Sequence, residues 1–276
     1  MNVYDCFTFY NEFELLELRL KALWDVVDFF VLVEADKTHA DKPKSFYFWE
    51  RQDEFKNFWP KIRHLPVEMT VDFKGAGDWS IENAQRDAIA YGIFDAKPDD
   101  LILISDVDEI PAPDVLRAIR QGQLADPLEK NPLAMIQKLF YYFFDWISPA
   151  PWHGTILTKR KNLTTPQEMR SLRNNLPRVV EGGWHFSYMG GVDRVIDKMT
   201  SIVDGNALVV RAGGKLLDRK HIEKSLALGT DIFGRPQSYT GKFFSYDAKK
   251  IRLPHLDEFL KKYPHFLREP EKYFGD

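Results

Sequence analysis

The chain has 276 residues, a formal net charge of −3, 44% hydrophobic and 29% charged residues, which excludes extensive disorder and allows a substantial buried core. A sequence pI near 6.2 leaves no basic surplus to neutralise a polyphosphate backbone, so a nucleic-acid partner is excluded from the expected ones. The single cysteine, Cys6, rules out an intrachain disulfide and a thiolate-rich zinc site, and its apolar neighbours make it a small buried hydrophobe.

Val3 to Phe9 reads as a strand, and Glu12 to Trp24 carries the broad apolar face of a helix. Phe29 to Glu34 is an almost unbroken β-branched and aromatic run, as a strand covered on both faces requires. Asp36 to Lys44 is the polar loop at its C-terminal end. Ile62 to Val67 is a further strand, followed by the glycine-bearing loop Lys74 to Asp78. Ser80 is the expected cap of a helix running to about Phe94, with Asp78 and Asn83 as weaker caps. Lys97 to Asp100 is a turn, and Leu101 to Ile104 is the strongest buried-strand signal in the chain. This alternation predicts an α/β fold with a mostly parallel central sheet flanked by helices.

The second half is less regular. Leu133 to Phe144 and Gly154 to Thr158 read as strands, Thr165 to Pro177 as a loop or short helix, and Val192 to Val203 and Ile222 to Leu228 as helices. The last 35 or so residues, rich in Lys, Asp, Pro and aromatics, are expected to wrap the domain surface. No leader or transmembrane stretch is legible, so no integral membrane segment is expected.

Ser105-Asp106-Val107-Asp108-Glu109-Ile110-Pro111 directly follows the strongest strand, and its prolines stop any continuation of the ladder. Carboxylates therefore stand at the C-terminal edge of a sheet, where open α/β folds place their ligands. Two aspartates separated by one residue can converge on one hard cation, Mg²⁺ or Mn²⁺, which would bridge to a diphosphate and offset charge on a leaving nucleotide. An acidic surface turn is the plain alternative.

The segments Tyr4 to Glu12, Val33 to His39, Glu82-Asn83-Ala84-Gln85-Arg86, Ser105 to Pro111 and Gly183 to Tyr188 resemble glycosyltransferase family 17, in order and at sensible spacing from about residue 3 to about residue 205. The resemblance implies a GT-A-type fold, a divalent cation, a UDP-sugar donor with GlcNAc as the first candidate, a glycan acceptor and inversion at the anomeric carbon. It divides the chain into a GT-A-like domain at 1–205 and a C-terminal helical or irregular extension at 206–276 packed on the same domain. The absence of an anchor or stem, unlike Golgi-resident members, and the single cysteine point to a cytoplasmic protein of bacterial or viral type. The oligomeric state is not legible.

Individual residues divide between structural and functional readings. Glu34 ends a buried strand, where it would accept from a nucleobase or ribose; Thr38 and His39 follow it in the donor loop, and ordinary loop polarity is the plain alternative. Arg86 lies four residues after Glu82, a surface-pair spacing, but its fork would also reach a diphosphate or the aspartates. His185, beside Gly182 and Gly183, is a candidate third cation ligand with Asp106 and Asp108, and neutral imidazole suits Mn²⁺ better than Mg²⁺. Trp184 would stack on a sugar. An inverting transfer needs a carboxylate base, for which Glu181 is the first choice ahead of Asp145 and Glu168, and Glu109 is expected to support the metal site or bind the donor sugar. Lys159, Arg160, Lys161, Arg170, Arg173 and Arg178 form a basic region, read as solvated surface or as an anion holder. The rival functions are metal-dependent nucleotidyl or phosphoryl transfer, and carbohydrate binding without catalysis.

Overall fold

β1 (Val3–Phe9) is buried at every position and β2 (Phe29–Ala35) at all but its first, because both lie inside a sheet covered on two faces. The computed structural model describes residues 1–235 and 242–274; residues 236–241 and 275–276 of the predicted extension lie outside the described residues. β1 pairs in parallel with β2 and with β4 (Leu101–Asp106), and β2 pairs in parallel with β3 (Ile62–Val67). Helix Phe13–Leu23 returns the chain from β1 to β2 and turns Leu15, Leu16, Leu20 and Leu23 into the core.

The expected mostly parallel sheet is corrected here, because its second half is antiparallel. β8 (Trp152–Lys159) runs against both β4 and β6 (Leu133–Tyr141), and β7 (Trp146–Ile147) runs against β6 and β10 (Phe244–Ser245). The reason is connection length. The few residues between β6 and β8 are too short for a crossover helix and can only reverse the chain. The path along the sheet is β10-β7-β6-β8-β4-β1-β2-β3, with β9 (Arg178–Ser187) parallel to β6 and β5 (Glu109–Pro111) antiparallel to β9.

β9 escaped the sequence reading because Glu181, Gly182 and Gly183 interrupt its apolar pattern. Those glycines do the joining. Gly183 has φ +138°, and a Cβ there would stand 2.2 Å from the Ile110 carbonyl oxygen. Only a residue without a side chain lets β9 approach β5 so closely, and the resulting register sets His185 opposite Glu109.

Ser80 does not cap its helix. It is the first residue of helix Ser80–Asp87, with Trp79 at the cap position, and Asp78 accepts from the Ser80 and Lys74 amides at 2.9 and 2.7 Å. The helix expected to reach Phe94 breaks after Asp87 and resumes as the single turn Ile89–Gly92. Toward the C-terminus, Ile251, Leu256, Phe259, Leu260 and Phe266 enter the same core as Phe7 and Leu16. Among the described residues no helix is long and apolar enough to cross a membrane.

One buried charge ties helix to sheet. Arg19 of helix Phe13–Leu23 is fully buried and pairs in fork geometry with Asp5 of β1, Nε to Oδ2 at 2.8 Å and Nη2 to Oδ1 at 2.6 Å. Its remaining donors reach Ser105 Oγ at 2.7 Å and the carbonyls of Asp106, Val107 and Glu109 at 3.0, 3.2 and 2.8 Å. Arg19→Met would leave Asp5 and those carbonyls buried without a donor, so it is expected to lower the unfolding free energy by about 3–5 kcal/mol. Arg19→Lys, lacking the fork, should recover little of it. Chemical denaturation of the three proteins checks this; equal midpoints would remove Arg19 from the role assigned to it.

Candidate active site

The C-terminal ends of β1, β2 and β4 open into a cavity of about 840 Å³. Thr38 and His39 follow β2 on one side, and Glu82 and Arg86 reach in from helix Ser80–Asp87. Asp106 and Asp108 are at the centre. The opposite wall comes from the antiparallel half: Trp152 of β8, His185 of β9, Arg173, and Lys198 from helix Val192–Ser201. Tyr188, Phe233 and Arg235 extend that wall.

Each acid at the centre has its own cation. Asp106 accepts from Arg86 Nη2 on Oδ1 and from Arg170 Nη2 on Oδ2, both at 2.9 Å. Thr8 Oγ1 adds a contact at 3.2 Å. Asp108 accepts from Lys198 Nζ at 2.7 Å on Oδ2, while His185 Nε2 lies 3.5 Å from Oδ1. Burial alone would make both carboxyls harder to ionise. Arg170 and Arg86 outweigh it at Asp106, and Lys198 and His185 outweigh it at Asp108, so both are held well below the usual carboxylate range.

Arg170 shows how the local sequence builds this centre. Thr165 and Glu168 form a capping box that starts helix Pro166–Ser171, and that short helix carries Arg170 inward. There it also donates to both oxygens of the fully buried Glu109 and, at 2.8 Å, to the Gly154 carbonyl. Glu109 further accepts from the Trp152 indole and from the Asp106 amide, at 2.5 and 3.2 Å. It supports Asp106 from beneath, as expected, and does not line the cavity.

The structure brings Thr38, His39, Arg86, Asp106, Asp108 and His185 into one cavity. It leaves three predicted residues outside. Glu34 is buried and its carboxylate is already used by the Phe48 amide at 2.9 Å, His64 Nε2 at 3.1 Å and Lys44 Nζ at 3.5 Å. Trp184 alternates to the opposite face of β9 from His185 and packs in the main core; Trp152, whose ring lies 4.7 Å from the His185 ring, takes the aromatic position in the cavity. Glu181 is exposed, 77% for its side chain, and pairs with Lys138 at 3.0 Å, so this first choice of base is not near the aspartates. Of the other two, Asp145 pairs with Arg268 at 3.3 Å and Glu168 is spent on its capping box.

Arg170, Lys198 and Trp152 are the functional positions that sequence reasoning missed or undervalued. Arg170 sat in an apparently solvated basic region, and nothing local marks Lys198 in an ordinary amphipathic helix. Asp204, at the start of helix Val203–Arg211, also lines the cavity. It has no ion pair among the described residues, and burial together with the nearby Glu82 raises its pKa.

As a cation site the arrangement is open. Among the described residues, no group of three or more His, Cys, Asp or Glu side chains is placed to cage a metal ion. Asp106 has both oxygens committed to arginines. Asp108 Oδ1 and His185 Nε2, side by side, are one oxygen and one nitrogen facing the cavity. That partial set, one oxygen and one nitrogen, fits a small divalent ion that completes its shell with water and phosphate oxygens, and the imidazole favours Mn²⁺ over Mg²⁺.

Comparison with known proteins adds independent findings. The family model described as glycosyltransferase family 17 matches residues 1–272. Two curated relatives are called beta-1,4-mannosyl-glycoprotein 4-beta-N-acetylglucosaminyltransferase. The Rattus norvegicus protein is 24% identical over 95% of this chain and 54% of its own length. The Homo sapiens protein is 25% identical over 71% of this chain and 42% of its own. The chain thus spans about half the length, or less, of the curated relatives it matches. Among solved structures, the mannosyltransferase PcManGT from Pyrobaculum calidifontis, in complex with GDP-Man and Mn2+, aligns with a TM-score of 0.40 at 15% identity, covering 82% of this chain and 70% of that one; a score at that level carries no argument.

The donor-loop side of the cavity contains a titratable pair. His39 Nδ1 lies 3.3 Å from Glu82 Oε2, and its Nε2 is 2.8 Å from Gln85 Oε1. Burial lowers the His39 pKa, but Glu82 outweighs it and the net direction is upward from 6.5. Burial likewise opposes ionisation of Glu82, yet Arg86 and His39 bring it down from 4.5 to about 2. The stabilisation from His39 is therefore fully present below about pH 6.5 and lost as pH rises through the raised folded value. That from Glu82 is present above about pH 4.5 and lost as pH falls toward 2. An NMR titration of the imidazole should give a His39 pKa above 6.5 in the wild type, and below the wild-type value in Glu82→Gln. An unmoved pKa would contradict the pairing.

Proposed function

The chain belongs to glycosyltransferase family 17, and from that premise we propose that its cavity binds a UDP-sugar and transfers the sugar, with inversion, to a glycan hydroxyl. The observation that carries this reading is the convergence of Asp106 and Asp108, with Arg86, Arg170 and Lys198, at the C-terminal edge of the parallel strands inside a cavity of about 840 Å³. Such a centre suits a diphosphate, because the cations neutralise the aspartates so that the site does not repel it, and a bound metal ion can share its charge. GlcNAc is the preferred sugar because the relatives at 24–25% identity are called N-acetylglucosaminyltransferases. The proposed fold type is GT-A, in the looser sense that a parallel half ends at the acids and an antiparallel half adds the wall that faces them.

Within this reading Asp108 and His185 hold Mn²⁺ or Mg²⁺, and Asp106 acts through Arg86 and Arg170 to keep the centre in shape. The metal ion, when bound, supplies Lewis-acid stabilisation of the departing nucleotide diphosphate. Thr38 and His39 line the donor end. The acceptor hydroxyl requires a carboxylate free to take its proton; Asp204, which lines the cavity with no ion pair among the described residues and has a raised pKa, meets that requirement where Glu181 does not. Residues 1–205 form the GT-A-like glycosyltransferase domain, and the extension beyond 205 packs on it, with Phe233 and Arg235 contributing to the cavity wall. A cytoplasmic location goes with the same proposal, supported by the buried, free Cys6.

The test is calorimetric titration of a nucleotide-sugar panel and UDP, with Mn²⁺ and then with excess chelator. The expected outcome is binding of a UDP-sugar that depends on Mn²⁺ and weakens at least about tenfold in Asp108→Ala, the loss of one charged contact. Turnover of nucleotide without a glycan would move the chemistry to nucleotidyl or phosphoryl transfer. Glycan binding by a folded protein that takes up no nucleotide would leave a carbohydrate-binding protein instead.

A further inference from the structure

Charges that line a partly dry cavity are ordinarily neutralised by partners of the same chain, since an unpaired one is costly to hold there. The cavity obeys this rule closely on its cationic side. Lys37 pairs with Asp41, Lys44 with Glu34, Arg86 with Glu82 and Asp106, Arg170 with Asp106 and Glu109, Lys198 with Asp108, and Arg235 with Asp231. Arg173 is the exception: among the described residues its guanidinium has no ion pair and no side-chain hydrogen bond.

Arg173 is nevertheless held in place. It lies in the turn after helix Pro166–Ser171, where its amide donates to the Arg170 carbonyl at 3.3 Å. Its guanidinium stands 4.5 Å from the centre of the Trp152 ring. That ring is itself fixed by its bond to Glu109 and lies 4.7 Å from His185. The sequence of contacts Arg173–Trp152–His185–Asp108 connects this cation, on the wall of the antiparallel half, to the acid pair at the centre. Burial and the neighbouring Arg170 cation both work against its charge and lower its pKa. A guanidinium is among the most strongly basic side chains and stays charged under these conditions, so its donors face the cavity unmet.

We propose that Arg173 is the receptor for the diphosphate of the donor, closing on the phosphate oxygens from the wall opposite Arg86. This rests on the nucleotide-sugar reading and deepens it. Arg170 is committed to Asp106, Glu109 and the Gly154 carbonyl, and Arg86 to Asp106, Glu82 and Gln167 with only its buried Nε left over, whereas Arg173 keeps its whole fork available for two parallel bonds to phosphate. The Trp152 ring supports the guanidinium face without consuming a donor. The position therefore contributes to binding of the phosphates and not of the nucleoside.

Uridine, UMP and UDP titrated calorimetrically with Mn²⁺ present separate those contributions, using wild type, Arg173→Gln and Arg173→Lys, with thermal unfolding as the check on folding. Arg173→Gln is expected to weaken UDP by about tenfold to a hundredfold, the scale of a charge-assisted contact. Uridine should be unaffected, and Arg173→Lys should regain part of the loss because it restores the charge without the fork. UDP binding unchanged in a folded Arg173→Gln protein, or an equal loss for uridine and UDP, overturns the assignment and leaves the nucleotide-sugar reading standing. A wild type that binds none of the three ligands removes that reading, and this inference with it.

Discussion

Arg19 is the constraint from which the rest of the molecule is arranged. A guanidinium in a dry interior is tolerated only when a counter-charge and acceptors for its remaining donors are in place, and here Asp5, Ser105 and three consecutive-loop carbonyls supply them. The consequence runs outward. Carbonyls of Asp106, Val107 and Glu109 turned toward Arg19 fix the backbone between β4 and β5. That backbone decides where the side chains of Asp106 and Asp108 emerge, on the cavity side of the sheet. A loop of acidic residues left to itself would spread to reduce repulsion. Its backbone is instead clamped from below by a positive charge on the first helix.

The same principle governs the cavity. Asp106, Asp108 and Glu109 share a small volume because Arg86, Arg170 and Lys198 come in from three separate helices. No two of these cations are neighbours in sequence, so the centre forms only when the helices are docked. The ion pairs are mostly buried, so the cost of desolvating both partners offsets much of their attraction and their net worth to stability is small. Their effect is on geometry: they hold two carboxylates ionised and oriented close together. A centre neutralised in this way does not repel an anion, and the proposed diphosphate and cation both depend on that property.

Much of the first half was legible in the sequence because its signals are local. β1 and β3 have the predicted bounds, β2 and β4 differ by a residue or two, and the acid pair lies at the sheet edge where a strand followed by prolines must leave it. What was not legible depends on pairing at a distance. The antiparallel half follows from a short β6–β8 connection, and β9 from a glycine approach to β5, neither of which has an apolar periodicity. Trp184 and Trp152 illustrate the same limit at single-residue scale. Along β9 successive side chains face opposite sides, so placing His185 in the cavity puts Trp184 in the core, and a tryptophan from a different strand fills the position beside it. Glu181 was chosen for its nearness in sequence to His185, but it stands at the irregularity in the β6–β9 pairing, with φ at +51° and its side chain in solvent.

The mixed sheet has a further consequence for how the site is divided. Parallel strands all deliver their C-terminal ends to one edge, so β1, β2 and β4 can furnish a single ligand-binding rim and nothing on the facing wall. An antiparallel strand beside them delivers its N-terminal end to that rim. β8 therefore begins, at Trp152 and His153, where β4 finishes, and both residues line the cavity. β9, parallel to β6, finishes there too and brings His185 and Ser187. The switch in strand direction thus supplies a second wall that a uniformly parallel sheet of this size lacks. The change of direction falls at β4, the strand whose end carries Asp106, so the acids stand where the two walls meet.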